Sequence, residues 1–177
     1  MTFRDQLRKL GAETEAKVLA IFTAFTEGSL TYDEAVAGIA AVVVKGNARA
    51  VALADLALAA NLMTALRRPV ATLGLSVDPG ESTRLHKAAG TLLALEAVTP
   101  ERVARLGRAE PLQAGQRAFS KAVGHHPEIT GWVRTVSGTA CELCRKWAAG
   151  GHVYAADMQM FHHPGCSCTQ TIVTEEF

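Results

Sequence analysis

All four cysteines of the chain lie between residues 141 and 168. Cys141 and Cys144 form a Cys-x2-Cys pair, and a His-x2-Cys-x-Cys run made of His163, Cys166 and Cys168 follows downstream. Two close groups of sulfur and imidazole ligands separated by a loop are typical of a structural zinc site. Zinc binding at such sites contributes to folding directly, by roughly 10–16 kcal/mol in small peptides. The spacing therefore predicts a C-terminal module whose fold depends on one zinc ion per chain.

The pattern offers five candidate ligands, whereas a tetrahedral zinc ion takes four. Cys141 and Cys144 are the most direct candidates, because their spacing lets both sulfurs face one ion from a turn or a first helical turn. The spacing does not decide which of His163, Cys166 and Cys168 is left out. Two other histidines lie nearby in the sequence and are weaker candidates, namely His152 and His162.

Composition narrows the setting of this site. Hydrophobic residues make up 49% of the chain and charged residues 20%, which is enough apolar material for a folded core. The formal net charge of +1 argues against a protein whose main task is to coat nucleic acid. The first 17 residues lack the apolar segment of a secretory signal, so metal ligation is favoured over disulfides or plain buried thiols. No membrane span is predicted, because the most apolar stretch, residues 50–66, contains Asp55 and Asn61.

Helical patterns dominate the first 128 residues. Apolar residues recur at helical spacing over residues 3–25 and predict a first amphipathic helix. Thr31 and Glu34 form a capping box that starts a second helix, which runs to about residue 68. Further helices are predicted from Ser82 to about Val98, from Thr99 to Pro111 and from Gln113 to Val123.

The second predicted helix is apolar on almost every side. Residues 42–44, Leu56 and Met63 do not share one face. A helix of this kind is normally buried between several neighbours. We therefore expect an intramolecular bundle around it, with additional burial against another chain left open. Gly46 and Asn47 mark a point where this helix is expected to kink or divide.

The character of the chain changes near residue 128. Downstream residues are glycine-rich and contain short β-type runs at 152–154 and 169–174, while 129–136 suits either helix or strand. A further helix is expected to begin near Cys141. The predicted fold class is thus mainly α: a helical bundle over residues 1–128, followed by a small α+β zinc-binding module over residues 129–177.

Catalytic zinc chemistry is not predicted. A zinc deaminase would carry a proline directly before its Cys-x-x-Cys, where this chain has Ala140. A metalloprotease would carry His-Glu-x-x-His on a helix, and the chain has no such pattern. Three or four sulfur ligands with a histidine also leave no open position for a reactive water. The expected site is therefore structural, and the protein is not expected to be an enzyme.

The order of motifs in the C-terminal region resembles a known family. A Trp-x-Arg segment (Trp132 and Arg134) precedes the Cys-x2-Cys pair, a Gly-x-Val-Tyr segment follows at residues 151–154, and the His-x2-Cys-x-Cys run ends at Cys168 before a last β-type run. This order is similar to the tail of MuF-like phage minor head proteins, in particular those of actinobacteriophages. The resemblance covers residues 131–177 only.

The resemblance implies a virion component rather than an enzyme. Family members are minor capsid or head morphogenesis proteins, made in the host cytoplasm and associated with the portal or capsid during head assembly. Portal and capsid proteins are therefore the expected partners, and the helical part is the expected contact region. Contact with packaged DNA and formation of a homo-oligomer are left open, and no membrane partner is expected.

Two other functions compete with this interpretation. The metal site also suits a nucleic-acid-binding or nuclease-type zinc-knuckle protein, which the near-zero net charge disfavours. Cys141 and Cys144 alone would also suit a redox switch, because a Cys-x-x-Cys motif supports thiol–disulfide exchange. The second group of thiols nearby favours metal binding over redox chemistry.

Overall fold

The computed structural model describes residues 1–138, 140–163 and 165–175, so Pro164 of the His-x2-Cys run lies outside the described residues. The N-terminal part is helical, and a small three-stranded sheet with a short helix follows it. The helices are α1 (Phe3–Thr26), α2 (Tyr32–Leu66), α3 (Glu81–Leu93), α4 (Pro100–His125) and α5 (Glu142–Trp147), and the strands are β1 (Ile129–Thr135), β2 (Val153–Ala155) and β3 (Thr169–Thr174). This arrangement confirms the predicted fold class.

Side-chain caps define where three of the long helices begin. Thr2 caps α1 in a capping box with Asp5, and Thr31 does the same for α2 with Glu34. Thr99 accepts a hydrogen bond from a backbone N–H in the first turn of α4, which has a proline at its first position. Each cap supplies an acceptor to an otherwise unpaired N–H group, so these starts follow from local sequence.

Helix α2 lies at the centre of the bundle, in contact with α1, α3 and α4. It runs without interruption through Gly46 and Asn47, so the expected division there is wrong. Gly46 instead provides room for a neighbour: a Cβ at this position would lie 2.8 Å from the Thr14 hydroxyl oxygen. Among the described residues, α2 is the one helix long and apolar enough to cross a membrane by length and composition, a test that core helices of bundles also pass.

Asp55 is the one acidic residue in the apolar C-terminal half of α2, and its carboxylate binds the connection that follows the helix. It is buried and accepts hydrogen bonds from the backbone N–H groups of Leu73, Gly74 and Leu75 at 2.7–3.0 Å. The side chain thus fixes the connection between α2 and α3 on the surface of the bundle. Hydrogen bonds to its charged form offset the cost of burying it.

Helix α4 replaces two predicted helices, because Pro111 does not end it. A proline inside a helix removes one backbone hydrogen bond and normally breaks or kinks the helix. Here Pro111 is buried against α2, where a Cβ at Gly46 would lie 3.0 Å from its ring. Tertiary packing therefore outweighs the local preference, and one long helix spans the bundle.

Helix α3 begins one residue before Ser82, so the predicted Ser82 cap is wrong. A turn led by Asp78 precedes the helix, and Gly80 is its N-cap without a side-chain hydrogen bond. Glu81 in the first turn accepts from Asn47 at 2.5 Å and pairs with Arg84 at 2.8 Å. These contacts with α2 and within α3 hold the first turn of the helix in place. The helix also ends earlier than predicted, at Leu93.

The three strands form an antiparallel sheet in the order β2-β1-β3. The central strand β1 settles the helix-or-strand ambiguity of residues 129–136 in favour of strand. Trp132 lies in this strand opposite Tyr154 on one side and Ile172 on the other, and its ring stacks on Tyr154 at 4.4 Å between centroids. Gly131 is required beside them, because a Cβ there would lie 2.6 Å from the Tyr154 carbonyl oxygen.

One hydrophobic cluster joins the sheet to the helices. Trp132 and Ile129 of β1 pack with Phe119 and Val123 of α4 and with Leu58 of α2, and all five side chains are buried. Residues from both sides of the predicted boundary at residue 128 therefore share one core. The sheet is held against α4 and the C-terminal half of α2, which sets the position of the cysteine-rich segment.

Close contact between α1 and α4 generates a prediction about Gly107. A Cβ at Gly107 would lie 2.5 Å from a Val18 methyl carbon and 2.9 Å from the Glu15 Cα, so the two backbones cannot keep their separation if a methyl group is added. We expect Gly107→Ala to lower the free energy of unfolding by about 1–3 kcal/mol, as overpacking does. Chemical denaturation measures this change.

The matched control is Gly90→Ala in α3. A Cβ at Gly90 would lie 3.4 Å from the Tyr32 hydroxyl, an ordinary contact with the far end of a side chain. Alanine favours helix over glycine by about 1 kcal/mol, so this variant is expected to be at least as stable as the wild type. Equal stability of the two variants would contradict the account of the α1–α4 contact.

Candidate metal centre

The first pair of cysteines lies at the start of α5. Cys141 is the N-cap of this helix, and its sulfur accepts a hydrogen bond from the Cys144 backbone N–H at 3.4 Å. A residue at the N-cap and one three positions later lie on the same side of the first turn. The expected helix near Cys141 is thus confirmed, and it directs the Cys141 and Cys144 sulfurs to one side.

The second group lies in a tight turn before β3. The Cys166 backbone N–H donates to the His163 carbonyl at 3.0 Å, which closes the turn. Gly165 adopts φ +80°, a left-handed conformation that side-chain-bearing residues rarely adopt. This turn brings His163 and Cys166 to the same place, and Cys168 follows immediately before the strand.

The structure brings all five predicted ligands together. The Nε2 atom of His163 lies 3.2 Å from the Cys141 sulfur and 3.4 Å from the Cys144 sulfur, and the sulfurs of Cys144 and Cys166 are 3.5 Å apart. The donors form two overlapping groups that share Cys144: one contains Cys141 and His163, and the other contains Cys166 and Cys168. Within each group the donor atoms lie within 4.8 Å of one another.

These separations suit a metal ion and not disulfides. Metal–sulfur and metal–nitrogen bonds of about 2.3 and 2.0–2.1 Å place two donors of one tetrahedral zinc about 3.5–3.8 Å apart. The observed 3.2–3.5 Å lies close to that range and far above a sulfur–sulfur bond of about 2.05 Å. All four cysteines are free thiols. The cluster can therefore hold a metal ion.

The local environment shifts the pKa values of the four thiols in different directions. The Cys144 backbone N–H lowers the pKa of the Cys141 thiol, whereas burial raises the pKa of the Cys144 thiol to about 11. The hydrogen bond between the Cys166 and Cys168 side chains lowers the pKa of Cys166 and raises that of Cys168. Without a cation the cluster therefore does not hold all its sulfurs as thiolates near neutral pH. A metal ion bound by these sulfurs would take them as thiolates and displace their protons, so its affinity would depend on pH.

One edge of the cluster faces solvent. Cys144, Cys166 and Cys168 are buried, whereas Cys141 is exposed. A cleft of about 440 Å³ opens beside the cluster, and Cys141 and His163 line it. The two groups of donors thus have a buried side and an accessible side, which gives an ion a route of entry.

Helix α4 holds the cysteine-rich turn through residues that sequence reasoning did not identify. The side-chain amide of Gln116 donates to the carbonyl oxygens of both Cys166 and Cys168 at 2.8 Å, and Gln116 is 2% exposed. Four residues on, the Ser120 hydroxyl accepts from the Met160 backbone N–H at 2.9 Å. Both are ordinary polar residues within a helical pattern, so nothing in their spacing distinguishes them from surface positions.

The two weaker histidine candidates lie outside both donor groups. The ring of His162 contacts the Met160 carbonyl oxygen, with Nδ1 at 3.0 Å. His152 is exposed, and its ring packs edge-on against Tyr154 at 4.4 Å between centroids. The structure therefore separates these two histidines from His163.

Comparison with known proteins adds no relative. No protein-family model, no curated protein and no solved structure matches this chain. Its function therefore has to be inferred from the site and from the order of its motifs.

The contacts of Gln116 generate a prediction. Gln116→Met keeps the length of the side chain but leaves two buried carbonyl oxygens without their donor, and an unpaired buried polar group costs about 1–3 kcal/mol. We expect the free energy of unfolding of the purified protein to fall by that amount, measured by chemical denaturation. Gln113→Met, at a half-buried position one turn earlier in α4, is the control and is expected to change it by less than about 0.5 kcal/mol. Equal losses in the two variants would refute a specific role for Gln116.

Proposed function

We propose that this chain is a structural, non-enzymatic component of a tailed-phage virion, a minor capsid or head morphogenesis protein of the MuF-like type. In this proposal one zinc ion per chain holds its C-terminal module. The observation that carries the proposal is the convergence of Cys141, Cys144, His163, Cys166 and Cys168 within a segment whose motif order resembles that family.

The donor set supports zinc as the ion. Thiolate and imidazole ligands in a tetrahedral arrangement suit zinc, whereas magnesium and calcium prefer oxygen ligands. Four of the five candidate donors are sulfurs, and three of these are buried. With four ligand positions filled by the protein, the ion has no vacant position for a substrate, which supports a structural role over a catalytic one.

The helical part supports a partner-binding role. Leu56 and Met63 are 58% and 46% exposed on α2, which also packs against α1, α3 and α4. Exposed apolar side chains on the outer face of a bundle helix are available for contact with another protein. We propose that portal or capsid proteins are these partners, and that the chain is made in the host cytoplasm and resides in the virion.

Metal removal tests the zinc part of the proposal. We expect a strong chelator to lower the melting temperature of the protein, and His163→Ala to reduce zinc binding, because both deprive the buried cluster of its ion or of a donor. His152→Ala removes an exposed histidine outside both donor groups and is expected to leave zinc binding unchanged. Thermal unfolding with and without chelator measures the first effect and competition with a chromophoric chelator the second. A melting temperature insensitive to chelation would contradict a metal-dependent fold.

Co-expression tests the virion part of the proposal. We expect the chain to co-purify with the portal protein or the major capsid protein of its own phage after nuclease treatment. The competing nucleic-acid interpretation instead predicts binding to DNA with an affinity that falls steeply with salt. Salt-dependent DNA binding without capture of portal or capsid protein would overturn the proposed function while leaving the zinc site intact.

A further inference from the structure

A buried arginine lies beside the donor cluster. Arg134 of β1 is 6% exposed. Its guanidinium donates to the Phe161 carbonyl oxygen and lies 5.0 Å from the centre of the Trp147 ring. One terminal nitrogen, Nη1, lies 4.0 Å from the Cys144 sulfur. The positive charge is thus enclosed between an aromatic face, a carbonyl and a thiol.

This charge lacks the usual partner. Among the residues that the structure describes, Arg134 forms no ion pair with a carboxylate, and its Nε finds no acceptor. Burying a charged group without a counter-charge is costly, and buried arginines are normally paired. A single carbonyl and a ring face offset only part of that cost. A negative charge close to Arg134 would therefore stabilise it.

A metal-loaded cluster supplies that charge. A divalent ion with three thiolates and one neutral histidine carries a net charge of −1, and one with four thiolates carries −2. The interaction between opposite charges about 4 Å apart is strong in a buried, water-poor environment.

We propose that Arg134 is the charge partner of the metal-loaded cluster: it stabilises the anionic thiolate set through Cys144 and thereby raises metal affinity. This inference rests on the proposed zinc site. It makes Arg134 a positioning residue that touches a ligand and not the ion. Groups outside the ligands that support them in this way typically change metal affinity 10–100-fold.

The test compares two substitutions at this position. Arg134→Gln keeps N–H donors for the Phe161 carbonyl but removes the charge, whereas Arg134→Lys keeps the charge. We expect R134Q to weaken zinc affinity about 10–100-fold, measured by competition with a chromophoric chelator, and R134K to recover at least part of that loss. The absorption spectrum of the cobalt-loaded protein is expected to be the same in all variants, which shows that the ligands themselves are retained.

Stability measurements separate this role from a purely structural one. We expect metal-free R134Q to be at least as stable as the metal-free wild type, because the substitution removes an unmatched buried charge, and zinc-loaded R134Q to be less stable than the loaded wild type. A structural arginine would give equal losses in both states with unchanged affinity, and that result would overturn the inference. Should R134Q fail to fold, Arg134→Met carries the same comparison.

A matched control and the wild type keep the outcomes distinct. Arg145, adjacent to Cys144 in α5, is exposed, so Arg145→Gln changes the net charge equally and is expected to leave zinc affinity unchanged. Equal weakening by R134Q and R145Q would also overturn the inference. Equal zinc affinity in the wild type and R134Q would refute only the role of Arg134. Absence of zinc binding by the wild type would refute the metal centre as well.

Discussion

Burial of three sulfurs in one small volume is the constraint on which the C-terminal module depends. Cys144, Cys166 and Cys168 are 1–3% exposed, and together with Ala140 they form a hydrophobic cluster of their own. The fully buried part of this local core is therefore made of candidate ligands and one small side chain, with Val136 and Trp147 packed against it. A core this small contributes little hydrophobic stabilisation, so a metal ion bound to these sulfurs would add a cross-link that the segment otherwise lacks.

The helical bundle supplies the support that the module lacks. One face of α4 presents Gln116, Phe119 and Ser120, which lie at helical spacing. Gln116 binds the cysteine-rich turn, Phe119 packs with Trp132 of the sheet, and Ser120 accepts from the segment ahead of His163. These contacts hold the second donor group and the segment ahead of it against the bundle, so the bundle positions one side of the cluster. Because α4 continues through Pro111, its C-terminal half extends beyond the bundle core and contacts the sheet.

Local signals predicted much of this fold. Most helices were predicted from helical periodicity and from capping residues such as Thr31 and Thr99. The five converging donors were predicted from the spacing of the cysteines and His163. Each of these signals acts within a few residues. The errors have a common cause. Pro111 and Gly46 looked like helix breaks, but each fills or leaves space at a helix–helix contact, and residues far apart in the chain decide such contacts. Gln116 went unnoticed for the same reason, because its partners lie about 50 residues away.

Cys144 belongs to both donor groups, one with Cys141 and His163 and one with Cys166 and Cys168. Direct measurement of the ion and its ligands tests the central claim. Elemental analysis combined with zinc X-ray absorption on the purified protein is expected to find about one zinc per chain, surrounded mainly by sulfur at about 2.3 Å. A protein that lacks stoichiometric metal, or whose zinc is surrounded by oxygen, would contradict the account.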